Sequence, residues 1–243
     1  MLIPSIKHTP QDLALWREQE EADLLHPLKD KPAKALEEMR SFCERLRAEK
    51  RGLYVGVSWG KDSTVVAHLA SLLSNPPPLV FVRVEPIFNP DCLLVRDAFL
   101  QSHPIVTYKE YLTHARRSPS GWHASGTLEA GFKQAAADTG AAYISGVRAE
   151  ESTTREIRCH THGVSSKNTC APLAWWSTQD VFTYLAVNKL PVHPAYAMQG
   201  GGRWLREHLR VASLGGRRGD GHGRAEWEAE YYGTEVRRIA RST

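Results

Sequence analysis

The segment of residues 53–73, LYVGVSWGKDSTVVAHLASLL, constrains the fold of this chain more than any other. Its first five residues are apolar, with β-branched side chains at alternate positions, which predicts a short buried strand. Small and polar residues follow from Ser58 to Ser63, and apolar side chains at helical spacing begin at Val65. A strand that runs through a short polar loop into a helix directs free backbone N–H groups and the positive helix end toward one point. The segment therefore predicts a binding site for phosphate oxygens.

The residue types in this loop suit that chemistry. Gly60 lets the backbone come close to a ligand, and Lys61 supplies a mobile positive charge. Ser58 and Ser63 supply hydroxyl donors. Asp62 could cap the helix or help to hold a metal ion on the phosphates. The alternative interpretation is that these are ordinary capping residues before a helix.

The hexapeptide SWGKDS resembles the SGGKDS signature of the PP-loop ATP pyrophosphatases, with Trp59 in place of the first loop glycine. An indole side chain cannot adopt every backbone conformation that glycine can. Enzymes of this superfamily cleave ATP between the α- and β-phosphates, usually by adenylating a substrate and releasing pyrophosphate. The resemblance implies that the loop, Trp59 included, binds ATP together with Mg²⁺.

Predicted strands and helices alternate along the middle of the chain. Strands are predicted at residues 53–57, 79–84, 105–108 and 141–147. Helices are predicted at residues 11–25, 32–51, 93–101, 128–139 and 225–232, with a loop at residues 113–127. The alternation predicts an α/β fold with a parallel twisted sheet and helices on both faces, which is Rossmann-like and, through the resemblance, of the adenine nucleotide alpha hydrolase type. We expect N-terminal helices (1–51), a nucleotide-binding domain (52–196) and an Arg/Gly-rich extension (197–243).

Composition places limits on the class of protein. The 243 residues are 42% hydrophobic and 24% charged, which is enough apolar surface for a sizeable core. The net charge of +4 suits anionic substrates. The four cysteines form no CxxC pair, and the sequence shows neither a signal peptide nor a membrane span. We expect a cytoplasmic protein without a membrane partner, and a homodimer is one arrangement left open.

A second polar segment, GVRAEESTTR at residues 146–155, begins where the fourth predicted strand ends. Gly146 permits a sharp exit from the sheet, and Arg148 and Arg155 could clamp phosphate or sulfate oxygens, with Glu151 orienting one of them. The alternative is a salt-bridged start of a surface helix. Because carboxyl ends of parallel strands meet at one edge, this segment and Glu85 after the second strand should lie near the phosphate loop.

The same segment resembles the GxRxxESxxR block of the phosphoadenosine phosphosulfate (PAPS) reductase family, within the PP-loop superfamily. The stretch from Pro172 to Tyr184 is similar to its PLxxWxxxDVxxY helix. True sulfonucleotide reductases carry a C-terminal ECGxH tail whose cysteine attacks sulfur, whereas this chain has no cysteine after Cys170. We therefore expect ATP-dependent activation of an acceptor and not reduction.

The resemblance implies the following roles residue by residue, except that Glu85 is included for its place at the end of the second strand. The residues expected to act in catalysis are Lys61, Asp62, Arg148 and Arg155. The residues expected to bind the nucleotide are Ser58, Trp59, Gly60, Ser63, Glu85, Gly146 and Glu151.

Two cysteines suggest a metal. Cys159 precedes His160 and His162, and Cys170 follows eleven residues after Cys159. Such a set could bind zinc or part of an iron–sulfur cluster, and the alternative is a pair of buried thiols. The spacing resembles that in the ATP pyrophosphatase component of DNA phosphorothioation systems, which uses a cluster during sulfur insertion. This resemblance implies DNA or a sulfur-carrier protein as the partner.

The last part of the chain is rich in arginine and glycine, most of all at residues 215–224. Such a segment could contact nucleic acid, form a solvated loop or fold over the ATP pocket as a lid. For the acceptor, the alternatives to sulfur transfer or nucleic-acid modification are sulfate and flavin mononucleotide. A nucleotide-binding module without turnover is the alternative outside the enzyme class.

Overall fold

The computed structural model describes residues 1–118, 121–123, 126–215 and 221–242. Its strands are β1 (Leu53–Val57), β2 (Leu79–Glu85), β3 (Tyr108–His114), β4 (Arg116–Ser118), β5 (Gly121–His123), β6 (Ala142–Ile144) and β7 (Thr169–Cys170). Its α-helices are α1 (Pro10–Leu25), α2 (Lys31–Ala48), α3 (Lys61–Ser71), α4 (Asp91–Ser102), α5 (Thr127–Thr139), α6 (Thr153–His162), α7 (Thr178–Val187), α8 (Arg224–Tyr231) and α9 (Gly233–Arg241).

The main sheet contains five parallel strands in the order β3-β2-β1-β6-β7. In its register, Val55 of β1 lies opposite Leu79 of β2 and Ile144 of β6. These three side chains are fully buried, as expected for the centre of a parallel sheet whose faces are both covered. The prediction of an α/β fold with a parallel sheet is confirmed. Strands β4 and β5 form a separate antiparallel pair.

Helices cover both faces of the sheet. On one face α5 packs across β1, β2 and β3, where Gly131 lies so close to Val82 that an added Cβ would be 2.3 Å from a valine methyl group. Helix α3 also packs on β1, and helices α2 and α7 pack against α3. Odd and even residues of β1 therefore contact different layers, and Tyr54 faces Phe132 of α5.

The first and last segments of the chain pack together on this core. Asp12 of α1 accepts hydrogen bonds from the backbone N–H groups of Gln199 and Gly200, at 3.0 and 2.8 Å. Asp23 of the same helix forms a buried bidentate pair with Arg206, at 2.6 and 2.7 Å. These contacts anchor the chain after residue 197 and lead it toward the carboxyl edge of the sheet.

Several elements differ from the sequence-based prediction. The third strand is Tyr108–His114 and not 105–108, because β3 is an edge strand whose half-buried residues include polar ones and give little periodic signal. Helix α9 was not predicted, and α6 was predicted only as the alternative of a salt-bridged surface helix start, which the Glu151–Arg155 pair matches. Each helix gives a weak periodic signal, since each buries a single side chain, Cys159 in α6 and Ile239 in α9. Within the described ranges, no helix has the length and apolarity needed to cross a bilayer.

Candidate functional site

A cavity of about 830 Å³ opens at the carboxyl ends of β1 and β6. Its walls come from the β1–α3 loop, α5, the segment after β6, and residues 209–212. Parallel α/β folds bind ligands at this edge of the sheet, and the volume is in the range of small-molecule sites. This cavity is called the cleft below.

The β1–α3 loop presents unpaired backbone donors to the cleft. Helix α3 begins at Lys61 without a side-chain cap, since Gly60 is the N-cap residue. The Ser63 hydroxyl accepts the N–H of Ser58 and donates to the carbonyl of Gly60, each at 3.1 Å, which holds the loop closed. The N–H groups of Asp62 and Ser63 make no hydrogen bond to any residue in the described part of the chain. Open N–H groups at a positive helix end form an anion site.

Trp59 shapes this loop from inside the core. Its backbone adopts φ +62°, the left-handed region that glycine favours and bulky residues rarely enter. Its side chain is fully buried, with ring centroids 5.6 Å from Phe99 and 5.9 Å from Tyr108. Trp59 does not line the cleft, so the structure does not give it the nucleotide-contacting role that the sequence predicts.

Asp62 joins two cations at the start of α3. Its Oδ2 lies 2.8 Å from Nζ of Lys61, and its Oδ1 lies 2.6 Å from Nε of Arg148. Burial acts to raise the pKa of Asp62, but the charges of Lys61 and Arg148 outweigh it and hold the pKa below its usual range. Asp62 is therefore an anion that fixes both cations. Asp62 and Lys61 line the cleft, whereas Arg148 does not.

Arg148 lies behind the cleft. Its guanidinium is 2% exposed, and besides Asp62 it donates to Glu150 at 2.9 Å, to the carbonyl of Trp176 at 3.2 Å and to Thr178 at 3.1 Å. The guanidinium of Arg148 thus connects α3 to the segment after β6 and to the start of α7. All of its nitrogens have protein partners, so the geometry does not give Arg148 the phosphate-clamp role that the sequence predicts.

The rest of the 146–155 segment does reach the cleft. Gly146 lies against Asp62, where an added Cβ would be 2.9 Å from the Asp62 carbonyl carbon. Glycine is needed here because any Cβ would be too close to Asp62. Its φ lies outside the left-handed region, so backbone conformation is not the reason. Glu151 accepts the N–H of Arg148 at 3.1 Å and pairs with Arg155, whose side chain is half-exposed in the cleft wall.

An aromatic wall forms the side of the cleft next to α5. The ring of Tyr54 is nearly parallel to those of Phe132 and Tyr143, with centroid distances of 6.2 and 5.8 Å, and all three residues line the cleft. Gly56, two residues along the same face of β1, leaves the space beside these rings open. Flat aromatic surfaces suit a planar base. This wall was not predicted from the sequence. The placement of an aromatic residue, Tyr54, and a glycine, Gly56, on the same face of β1 could have indicated an open surface beside an aromatic ring.

The opposite side of the cleft comes from the C-terminal segment. Val211 is buried against Gly60, where an added Cβ would be 3.2 Å from a valine methyl group. Arg210 beside it is exposed, lines the cleft, and has no ion pair or hydrogen bond to the rest of the described chain. The hydroxyl of Tyr196 accepts the N–H of Lys61 at 3.1 Å. Neither Arg210 nor Tyr196 was predicted from the sequence to belong to the site. Residues 216–220 of the predicted Arg/Gly loop lie outside the described residues.

Besides Trp59 and Arg148, three further predicted site residues do not line the cleft. Glu85 pairs with Arg83 at 3.4 Å and does not line the cleft. Cys159 packs against a small alanine cluster, whereas Cys170 is buried in the main core. In the part of the chain that the structure describes, no three His, Cys, Asp or Glu side chains are grouped so as to hold a metal. These cysteines therefore do not fit a zinc or iron–sulfur site.

Comparisons place this architecture among known structures. No protein-family model matches the chain, and a search of curated proteins finds no relative. The U34-tRNA thiolase NcsA from Methanococcus maripaludis with its 4Fe–4S cluster matches at 15% identity, TM-score 0.43, over 78% of this chain and 70% of that chain. The phosphoadenylyl-sulfate (PAPS) reductase from Candida auris, in a phosphate complex, matches at 14% identity, TM-score 0.54, over 76% of this chain and 90% of that chain. The chain has the fold of this reductase, which is the PP-loop adenine nucleotide alpha hydrolase fold.

Proposed function

We propose that the chain is a PP-loop ATP pyrophosphatase, which cleaves ATP between the α- and β-phosphates and transfers the adenylyl group to an acceptor. The observation that carries this proposal is the pairing of two subsites in one cleft. The open N–H groups of Asp62 and Ser63 form an anion site, and the aromatic wall around Tyr54 forms a surface for a base. A nucleotide carries both phosphates and a planar base, and a cavity of about 830 Å³ is large enough to hold it.

In the proposed complex, the chain binds and orients the triphosphate. The N–H groups at the start of α3 and the hydroxyl of Ser58 hold phosphate oxygens. Arg155 and Arg210 approach from two different walls of the cleft, and both carry positive charge toward its interior volume. Lys61 remains fixed by Asp62, and Arg148 positions Asp62 from behind.

The proposed reaction balances without a further reagent. A lone pair of the acceptor forms a bond to the α-phosphorus, and the bond from that phosphorus to the oxygen bridging to the β-phosphate breaks. The electron pair of the broken bond leaves with pyrophosphate. Charge develops on this leaving group, and Arg155 and Arg210 stabilise it electrostatically.

Magnesium fits the site through the phosphates and one carboxylate. Mg²⁺ in nucleotide enzymes is usually bound by one or two carboxylates together with substrate phosphates. Both oxygens of Asp62 are paired with cations, whereas both contacts of Glu151 use the same oxygen, Oε2. Glu151 Oε1, which lies beside the phosphate loop, is therefore a carboxylate oxygen in the cleft wall that would hold the ion, and Glu129 on the α5 side is a further carboxylate lining the cleft. When bound, Mg²⁺ neutralises phosphate charge.

Thiol chemistry of the sulfonucleotide reductase kind has no support from the cleft. No cysteine lines it in the described residues. Burial raises the pKa of Cys43 to about 11 and of Cys170 to about 12, and it also raises the pKa of Cys92 and Cys159. A cysteine that attacks sulfur must be an accessible thiolate. These thiols are buried and protonated at neutral pH.

For the acceptor, we propose a role in sulfur transfer or nucleic-acid modification. DNA phosphorothioation is one such case, but it would have to proceed without an iron–sulfur cluster at Cys159 and Cys170. Support comes from the segment similarity at residues 146–155 and from the exposed arginines in the cleft wall. The structural neighbour in the phosphate complex is itself named for a sulfonucleotide substrate. Sulfate and flavin mononucleotide are the competing acceptors of small size.

The test is a product assay with ATP and Mg²⁺ in the presence of sulfate, flavin mononucleotide or DNA. We expect pyrophosphate release that depends on one acceptor, together with an adenylated product or AMP. The matched control is Lys34→Ala, which removes an exposed lysine outside the cleft. Release of ADP and orthophosphate would contradict the proposal, and tight ATP binding without turnover under every acceptor would favour a nucleotide-binding module.

A further inference from the structure

Tyr196 lies in a short 3-10 helix, Pro194–Ala197, and its side chain forms part of the cleft wall next to the phosphate loop. The residue is 2% exposed. Its ring packs edge-on against Phe182, with centroids 5.5 Å apart, and Nζ of Lys61 lies 5.8 Å from the ring centre. The position of its hydroxyl is therefore fixed by packing.

The hydrogen bonds of this hydroxyl are incomplete. A tyrosine hydroxyl can accept hydrogen bonds and donate one. The Tyr196 oxygen accepts the N–H of Lys61, the first N–H of α3, at 3.1 Å. Among the described residues this is its single hydrogen bond, so the hydroxyl proton has no acceptor in that part of the chain. A buried donor without a partner is costly, which points to an acceptor supplied from the cleft.

The groups around the hydroxyl restrict what that acceptor can be. Burial, and next the negative charge of Asp62, raise the pKa of Tyr196, so the hydroxyl keeps its proton at neutral pH. The neighbouring N–H groups of Asp62 and Ser63 are donors too. Both oxygens of the Asp62 carboxylate are engaged by cations. A set of converging donors is complementary to an anion.

We propose that the hydroxyl of Tyr196 donates a hydrogen bond to a phosphate oxygen bound at the start of α3. The tyrosine engages the N–H of Lys61 and would offer its own O–H to the ligand in place of that N–H. Tyr196 would be a phosphate-binding residue contributed from 135 residues beyond Lys61 in the chain. The identity of the phosphate as part of a nucleotide rests on the proposed function.

The test compares Tyr196→Phe with Tyr184→Phe. The control also removes a buried tyrosine hydroxyl, which pairs with Nδ1 of His68 at 2.9 Å and lies outside the cleft. The probes are Mg²⁺-pyrophosphate and Mg²⁺-ATP, titrated by calorimetry against wild type and both variants. We expect Tyr196→Phe to weaken pyrophosphate binding about tenfold or more, as for loss of a hydrogen bond to a charged group, and Tyr184→Phe to leave it unchanged.

A crystal of wild type soaked in pyrophosphate supplies a second measurement that is independent of variant stability. Hydrogen-bond contact between the Tyr196 hydroxyl and a phosphate oxygen is the expected result. Equal pyrophosphate affinity of wild type and Tyr196→Phe, or an anion bound out of reach of this hydroxyl, would overturn the inference. Pyrophosphate binding that requires Tyr196, without any cleavage of ATP, would overturn the proposed function alone. Absence of binding to wild type would overturn both.

Discussion

Nε of Arg148 lies 2.6 Å from Oδ1 of Asp62, so a buried arginine beyond β6 fixes the carboxylate at the start of α3. The same Asp62 holds Lys61 in the phosphate loop. This relationship divides the two arginines of the 146–155 segment by role. Arg148 maintains the architecture of the loop, whereas Arg155 and the distant Arg210 line the cleft and are available to a ligand.

Arg148→Ala tests that division through stability. Removing Arg148 leaves the buried Asp62 with Lys61 as its one remaining cation and takes the donor from the Trp176 carbonyl and from Thr178. We expect the free energy of unfolding to fall by about 3–5 kcal/mol. Arg155→Ala, which breaks a half-exposed pair with Glu151, should lower it by less than about 1 kcal/mol. Urea unfolding of both variants measures the difference. Similar losses of unfolding free energy in the two variants would show that Arg148 does not have a greater structural role than Arg155.

Arg155→Ala and Arg210→Ala test the cleft arginines through activity. Each removes a charge that stabilises the leaving pyrophosphate, so we expect the rate of pyrophosphate release to fall about tenfold to hundredfold. Arg203→Ala is the control, because Arg203 is an exposed arginine of the same segment that pairs with Glu230 outside the cleft. An unchanged rate in both cleft variants, or an equal loss in the control, would refute this assignment.

Phe132→Leu tests the aromatic wall. Leucine retains apolar volume but removes the ring that stacks on Tyr54, and stacking on a base is worth about 1–3 kcal/mol. We expect ATP affinity to fall about tenfold and pyrophosphate affinity to stay the same, measured by calorimetry. If both ligands weakened equally, the wall would not be the site of the base.

Trp59 offers a test of the left-handed loop. Both Trp59→Gly and Trp59→Ala lose the buried packing against Phe99 and Tyr108, but alanine retains a Cβ at φ +62°. Left-handed backbone costs a non-glycine residue about 1–2 kcal/mol, so the glycine variant should be the more stable by about that amount. Denaturant unfolding of the pair provides the comparison. The reverse order would rule out the left-handed conformation.

Buried histidines set the response of stability to pH. Burial, and next the neighbouring His103, lower the pKa of His68 to about 4, and burial with Lys7 lowers that of His193 to about 3. Histidine in the unfolded chain has a pKa of about 6.5, so below that pH the unfolded chain binds protons that the folded protein does not. The free energy of unfolding should therefore fall as the pH decreases from 6.5 toward 4. His68→Gln should flatten this slope, and His162→Gln, at an exposed position, should not.

The features that sequence predicted well are local ones. The strand, loop and helix around Lys61 are contiguous in the chain, so the change from strand-like to helix-like spacing of apolar residues is enough to locate them. Tyr196 and Arg210 reach the same loop from the C-terminal part of the chain, and no local pattern indicates such a contact. Arg148 shows a different limit, because an arginine that binds phosphate and one that satisfies a buried carboxylate have the same signature in sequence. Trp59 adopts a left-handed backbone conformation that usually requires glycine, and its indole is buried in the core. The sequence does not show this burial.

A crystal structure with an ATP analogue that resists cleavage between the α- and β-phosphates tests the central claim most directly. The account predicts phosphate oxygens on the N–H groups of Asp62 and Ser63, the base against Tyr54 and Phe132, and Arg148 still paired with Asp62. A triphosphate bound elsewhere, or a cleft that stays empty at saturating analogue, would contradict it.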